Sequence, residues 1–242
     1  MHPFPVQRSH TLPLLLLSTV ADGWTPAAVT QPTLDWQPRA GWVSVTSPLC
    51  GAVGDGKADD TAAIQKCLAN MTSGSVLHFP PGTYRITSTL EVGCLVSPVP
   101  KNCGIVAGQF FGHGGDTILA WDGPVNGTMF WSHGVSMSRY IGFHFDCKGK
   151  ASTAVKHQSN TLYETENLHE VHRFSNCRGA AVSIDPAEAV ATAEMLFHNC
   201  LFENNGLGVE FGSFNDCARL AFLLGHCCPS LTCVARGRRQ YI

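Results

Sequence analysis

The stretch from Gly51 to Thr87 constrains this chain more than any other. It reads GAVGDGKADDTAAIQKCLANM and then, after a short link, SVLHFPPGTYRIT. Gly51, Gly54 and Gly56 supply the backbone freedom a tight turn needs. Asp59 or Asp60 caps a short helix, with Thr61 just inside it. Ile64, Cys67, Leu68 and Met71 recur at helical spacing, while Gln65, Lys66 and Asn70 lie off that stripe. Gly74 ends the helix. Val76 to Phe79 is a brief apolar run, and Pro80-Pro81-Gly82 forces a turn. Tyr84 and Ile86 then alternate with Thr83, Arg85 and Thr87, the pattern of a half-buried strand.

A second regularity lies downstream. IGFHFDCKG, VHRFSNCRG and NCLFENNG each place a phenylalanine before a polar turn and a glycine. Phe145, Phe174 and Phe202 fall 29 and 28 residues apart. A fixed period in this range marks a solenoid. Ile118 to Trp121 and Met129 to Trp131 are further apolar runs between glycine turns. Stacked coils would put the phenylalanines in one internal ladder. Four or five coils at the strand spacing give a rod of only about 20–25 Å. Asn176, Asn199, Asn204 and Asn205 stand at the turns, where asparagine amides bond between coils.

The opening stretch resembles the N-terminal signature of the pectate lyase superfamily. The matching residues are Gly51, Ala52, Gly54, Asp55, Gly56, Asp59, Asp60, Thr61, Ala63, Ile64, Gln65, Phe79, Pro80, Pro81, Gly82 and Tyr84. Leu49 and Cys50 depart from the acidic-aromatic pair that usually precedes the signature. The resemblance implies an all-β fold, a right-handed single-stranded parallel β-helix closed by a short N-terminal α-helix. It makes Asp55, Asp59 and Asp60 structural. It implies no single reaction, since lyases, hydrolases, epimerases and non-catalytic proteins share it.

The chain divides into a signal-like segment at 1–42, a β-helix domain at 43–216 and a Cys/Arg-rich tail at 217–242. Leu12 to Val20 resembles a signal peptide, with a cut near Ala21 or Ala28. It is too short to span a bilayer. Eleven cysteines favour an oxidising compartment, and so a secreted protein. Cys94–Cys103 is the disulfide the spacing favours, and Cys147 and Cys177 are placed to be neighbours on adjacent coils. Asn70-Met71-Thr72 and Asn126-Gly127-Thr128 are glycosylation sequons. A net charge of −2 with 14% charged residues leaves no basic field for nucleic acid. The tail does not continue the coil pattern, which suggests a chain that stops before its later coils.

The resemblance points to a polysaccharide partner, acted on by a hydrolase or a lyase. The alternative is a non-catalytic β-helix module that binds glycans or builds a surface. A hydrolase needs two carboxylates at a set separation and no cofactor. A lyase needs a base, with calcium held by several acids. Neither set stands out in the sequence. The acids ranked as catalytic candidates are Asp185 at the end of a strand, Glu210 on the outward side of GVEFG, and Asp216. Trp121, Trp131, His144 and Asp146 are the substrate-binding candidates. His157, His169, His172 and His198 are assigned to the coil surface, and His113 in Gly112-His113-Gly114 to a turn.

Overall fold

The structure, a computed structural model, describes residues 30–93, 104–158, 164–184, 192 and 194–211, together with the backbone of 220–223 and 234–235. The chain winds into a parallel β-helix of about five coils, with three sheets of seven, six and six strands. Sheet I runs Trp42–Ser44, Val76–His78, Gln109–Phe111, Arg139–Ile141, Asn167–Glu170, Met195–His198 and Leu220–Leu223. Sheet II runs Asp55–Asp59, Gly82–Ile86, Thr117–Trp121, His144–Asp146, Arg173–Ser175 and Leu201–Glu203. Sheet III runs Leu90–Gly93, Thr128–His133, Thr153–His157, Ala180–Ile184, Leu207–Phe211 and Val234–Ala235. Two strands from the tail thus extend sheets I and III, where the coil pattern had been expected to stop. No described helix is long and apolar enough to cross a membrane.

The opening stretch folds as its residues dictate. Helix α1 spans Thr61–Ala69 and buries Thr61, Ile64, Cys67 and Leu68. The two aspartates divide the work at its start. Asp59 accepts from the Thr61 backbone N–H and hydroxyl, and from the Thr87 hydroxyl at 2.6 Å. Asp60, 1% exposed, turns away and accepts from the N–H groups of Val53 and Gly54 at 2.6 and 3.1 Å. It therefore ties the glycine turn to the helix instead of capping the helix. A Cys50–Cys67 disulfide pins the same turn to α1.

The expected ladder is present. Tyr84, Leu119, Phe145, Phe174 and Phe202 occupy one column of sheet II, in register from coil to coil. The Phe145, Phe174 and Phe202 rings stack at 5.2 and 5.0 Å. Sheet I carries a second ladder of Phe110, Tyr140, His169 and Phe197, stacked at 4.6, 4.7 and 5.0 Å. The coil corners repeat a left-handed backbone. One corner takes it at Ala107, Met137, Glu166 and Glu194, another at Lys148, Asn176 and Asn204. Asparagine tolerates this conformation better than most residues, which explains its place at the turns. The inter-coil bonds expected of these asparagines also form. Asn205 accepts from the Cys177 N–H and donates to the Phe174 carbonyl. Cys147 and Cys177 form a disulfide between neighbouring coils. Cys94 and Cys103 lie outside the described residues.

An N-terminal strap of residues 30–36 crosses the corner between sheets I and II. The Gln31 amide donates to the Phe143 and Val171 carbonyls. Leu34 and His113 exchange two bonds, and the Trp36 indole N–H reaches the Gly112 carbonyl at 2.7 Å. Gly114 must be glycine here: its φ is +69°, and a Cβ would lie 1.9 Å from the Pro32 carbonyl oxygen. His113 is buried with this strap, its Nε2 2.8 Å from His78 Nε2, so its structural assignment holds.

Candidate functional site

Strand alternation decides which side chains reach solvent. On sheet II the ladder residues point inward, so the residues on either side of each one line the outer face. His144 and Asp146 flank Phe145, Arg173 and Ser175 flank Phe174, and Glu203 follows Phe202. Three successive coils thus bring His144, Asp146, Arg173, Ser175, Asn176 and Glu203 together, with Ser175 covered by its neighbours at 3% exposure. The His144 Nε2 lies 2.9 Å from the Ser175 hydroxyl. The Asn176 amide donates to Asp146 at 2.9 Å, and the Lys148 backbone N–H donates to the same carboxylate oxygen at 3.0 Å. Arg173 holds one Glu203 oxygen through Nε and a terminal nitrogen, at 2.9 and 2.5 Å. Burial first, and the Arg173 charge second, push His144 down to about 4, so its ring is neutral at pH 7. One coil earlier, Asp122 accepts from Lys150 and from Arg85, and these bonds, Lys150 first, hold its carboxyl down at about 2.

The outer face of sheet III is built differently. Glu91, Trp131, Lys156, Ser183 and Glu210 form one register column. The Trp131 indole stacks on His133 at 4.4 Å, and the Lys156 ammonium sits 4.5 Å from the ring centroid. Burial raises Glu91 above the usual carboxylate range. Glu91 and Glu210 stand four rungs apart, about 19 Å at the ordinary strand spacing, too far to work on one bond.

The residues singled out in the sequence therefore part company. His144 and Asp146 share the sheet II face. Trp131 and Glu210 share the sheet III face. Trp121 is on neither: it is 1% exposed, and its indole N–H donates to the Pro124 carbonyl. It is a core residue and offers no ring to a ligand. Asp185 and Asp216 lie outside the described residues. Neither Arg173 nor Ser175 had been singled out, and Glu203 was not among the acids ranked as catalytic. The repeat that aligned Phe174 with Phe145 and Phe202 already placed them beside the ladder.

The assignment of the histidines needs the largest correction. His157, His169 and His172 are not on the coil surface but fully buried, at 0% exposure. His157 Nδ1 donates to Glu164, itself 0% exposed, at 2.8 Å, and His157 Nε2 lies 2.8 Å from His169 Nε2. The Ser132 hydroxyl also bonds Glu164. His157 thus presents Nδ1 to the carboxyl group and Nε2 to His169, and one proton serves the contact between the two facing Nε2 atoms. Only His198 keeps an outward position, paired with Glu170 at 2.8 Å.

Comparison with known proteins agrees with the coil architecture. A family model described as rhamnogalacturonase A/epimerase, pectate lyase-like, matches residues 42–106. The chain is a pectin-lyase-like parallel β-helix. A probable glucan endo-1,3-beta-glucosidase of Arthroderma benhamiae is 48% identical over 52 residues, covering 22% of this chain and 5% of that protein. The mannuronan C5-epimerase AlgE2 of Azotobacter vinelandii is 34% identical over 98 residues, covering 37% of this β-helix and 9% of the epimerase. The β-helix thus spans under a tenth of the length of these relatives. The crystal structure of the Agl-KA catalytic domain superposes with a TM-score of 0.51 at 18% identity, over 81% of this chain and 38% of that one.

Proposed function

We propose that this β-helix is a secreted protein that acts on a polysaccharide, engaging it with the outer face of sheet II. The observation that carries this reading is the convergence of His144, Asp146, Arg173, Ser175, Asn176 and Glu203 on three adjacent coils. Such a face offers donors and acceptors at a regular spacing to a chain of hydroxyl-bearing rings. The matched family model and the glucan- and mannuronan-acting relatives support the substrate class. The Cys50–Cys67 and Cys147–Cys177 bridges are compatible with secretion.

Within this reading a hydrolase is the better fit. Asp146 and Glu203 lie in one column with Ser175 between them, two rungs or about 9.6 Å apart. That backbone spacing sits at the upper limit of the wider carboxyl separation, about 6.5–9.5 Å, that leaves room for a water beneath a sugar. A lyase would call for calcium. Among the described residues no three His, Cys, Asp or Glu side chains converge into a cradle for that ion. Asn176 orients Asp146, and neutral His144 shares a proton with Ser175. The non-catalytic reading draws on the same geometry, since both carboxylates are already engaged by Asn176 and Arg173.

The test is a panel of glucans, alginates and pectic polysaccharides, read for retention, for new reducing ends and for unsaturated uronates. Asp146→Asn and Glu203→Gln are each expected to lower product release at least tenfold. Retention without release by the unaltered protein would leave the binding module. Full activity in both variants, with loss in Glu210→Gln, would move the site to sheet III.

A further inference from the structure

The second sequon, Asn126-Gly127-Thr128, falls on a turn with an unusual combination of properties. The chain leaves sheet II at Trp121 and enters sheet III at Thr128, and Pro124, Val125 and Asn126 form the exposed tip. Val125 is 57% exposed, so the tip stands clear of the solenoid. Gly127 is fixed by packing: a Cβ there would lie 2.4 Å from the Trp121 ring. Asn126 takes a left-handed φ of 65°, and its backbone N–H donates to the Lys150 carbonyl at 2.8 Å. These contacts hold the backbone and leave the side chain pointing into solvent. The Asn70, Asn167, Asn176 and Asn205 amides all donate hydrogen bonds within the fold. The Asn126 amide makes none among the described residues.

The first sequon differs in this respect. Asn70 is exposed as well, but its amide donates to the Lys66 carbonyl at 2.7 Å at the end of α1. A sugar on that nitrogen would have to displace the bond. Nothing in the fold opposes one on Asn126. The Cys50–Cys67 and Cys147–Cys177 bridges fit the oxidising compartment in which such transfer occurs.

We infer that Asn126 is an acceptor for an N-linked glycan. The donor is a lipid-linked pyrophosphoryl oligosaccharide. The Asn126 amide nitrogen forms a bond to the anomeric carbon and gives up one proton. The bond from that carbon to the pyrophosphate oxygen breaks, and the lipid pyrophosphate leaves with the electron pair. The turn lies one coil before the Asp146–Ser175–Glu203 column, so the glycan borders the sheet II face without covering it. The inference rests on the secretory part of the reading above, and the experiment separates the two.

The full chain, translated with endoplasmic-reticulum microsomes behind a foreign secretion leader, is expected to run as a slower species that endoglycosidase collapses. Asn126→Gln and Thr128→Ala each remove one such step, Thr128→Ser restores it, and Asn70→Gln leaves it in place. On the chain secreted from eukaryotic cells, mass spectrometry after enzymatic glycan removal is expected to read Asn converted to Asp at 126. An unchanged pattern in Asn126→Gln overturns the inference, and this readout does not depend on folding. The same translation with the chain's own N-terminus tests secretion alone: a shift lost only there overturns the secretory reading and leaves Asn126 as the acceptor.

Discussion

Two halves of the same interior are filled by opposite means. Behind sheet II the core is a column of apolar side chains, with Phe174 at 0% exposure between Phe145 and Phe202. Between sheets I and III it is polar: Ser132, Tyr140, His157, Glu164 and His169 are all buried, and His172 carries the polar set to the edge of the apolar column, beside Phe143, Phe145 and Phe174. The first half is held by dispersion and burial, which are indifferent to protons. The second is held by hydrogen bonds whose donors and acceptors depend on which nitrogen carries a proton. It also contains atoms with no partner among the described residues, Glu164 Oε2, His169 Nδ1 and His172 Nε2. The same coil repeat thus supports a robust wall and a conditional one.

The largest effect that would test this contrast is a cavity in the apolar half. Phe174→Ala is expected to cost about 3–5 kcal/mol in urea unfolding at pH 7. A cost below about 1 kcal/mol would mean the ladder is not the structural spine.

Acid should single out the other half. Burial pushes His172 down to about 3 and His169 well below its ordinary value. Both stay neutral in the folded chain, whereas the unfolded chain takes up their protons below about pH 6.5. Their contribution is therefore complete above pH 6.5 and is lost as pH falls toward 3. His172 alone should remove roughly 2 kcal/mol between pH 6.5 and 4.5. His172→Phe, set among Phe143, Phe145 and Phe174, should flatten that slope. Its neutral-pH cost is about 1–3 kcal/mol, because the Phe143 N–H loses its acceptor. An unchanged slope would refute the contrast.

Glu164→Gln is a smaller probe. It keeps the volume but replaces the carboxyl group that bonds His157 and Ser132 with an amide. A loss of about 1–3 kcal/mol at pH 7 is expected by thermal or urea unfolding. Smallest of all is Arg173→Ala on the outer face, whose partly exposed pair with Glu203 should contribute under about 1 kcal/mol to stability. Glycan retention should nonetheless fall severalfold in the same variant, which would separate the binding face from both interior halves.

The apolar half was legible in the sequence and the polar half was not. Phe145, Phe174 and Phe202 are identical residues at a near-constant period, so the column announces itself. The opening stretch was equally readable, because glycine, proline and helical spacing act locally. His169 stands at the same kind of spacing, after Phe110 and Tyr140 and before Phe197, but four planar side chains of three types do not look like a repeat. Reading ring shape instead of residue identity would have placed it inside. Glu164 had no such signal. Its burial follows from bonds to Ser132 and His157, which join residues on neighbouring coils. The sheet II face was half visible: His144 and Asp146 were picked out, while Arg173 and Glu203 become relevant only once register is known.

The strap at residues 30–36 changes how such a rod can come apart. In a simple solenoid each repeat touches only its neighbours, and unfolding can fray from either end one coil at a time. Here a single short segment is bonded to the carbonyls of Gly112, Phe143 and Val171, which belong to three successive coils. Peeling any one of them loosens the anchor of the other two. The N-terminal coils are thereby made to melt together, and a stack of weakly coupled units gains the all-or-none behaviour of a globular domain.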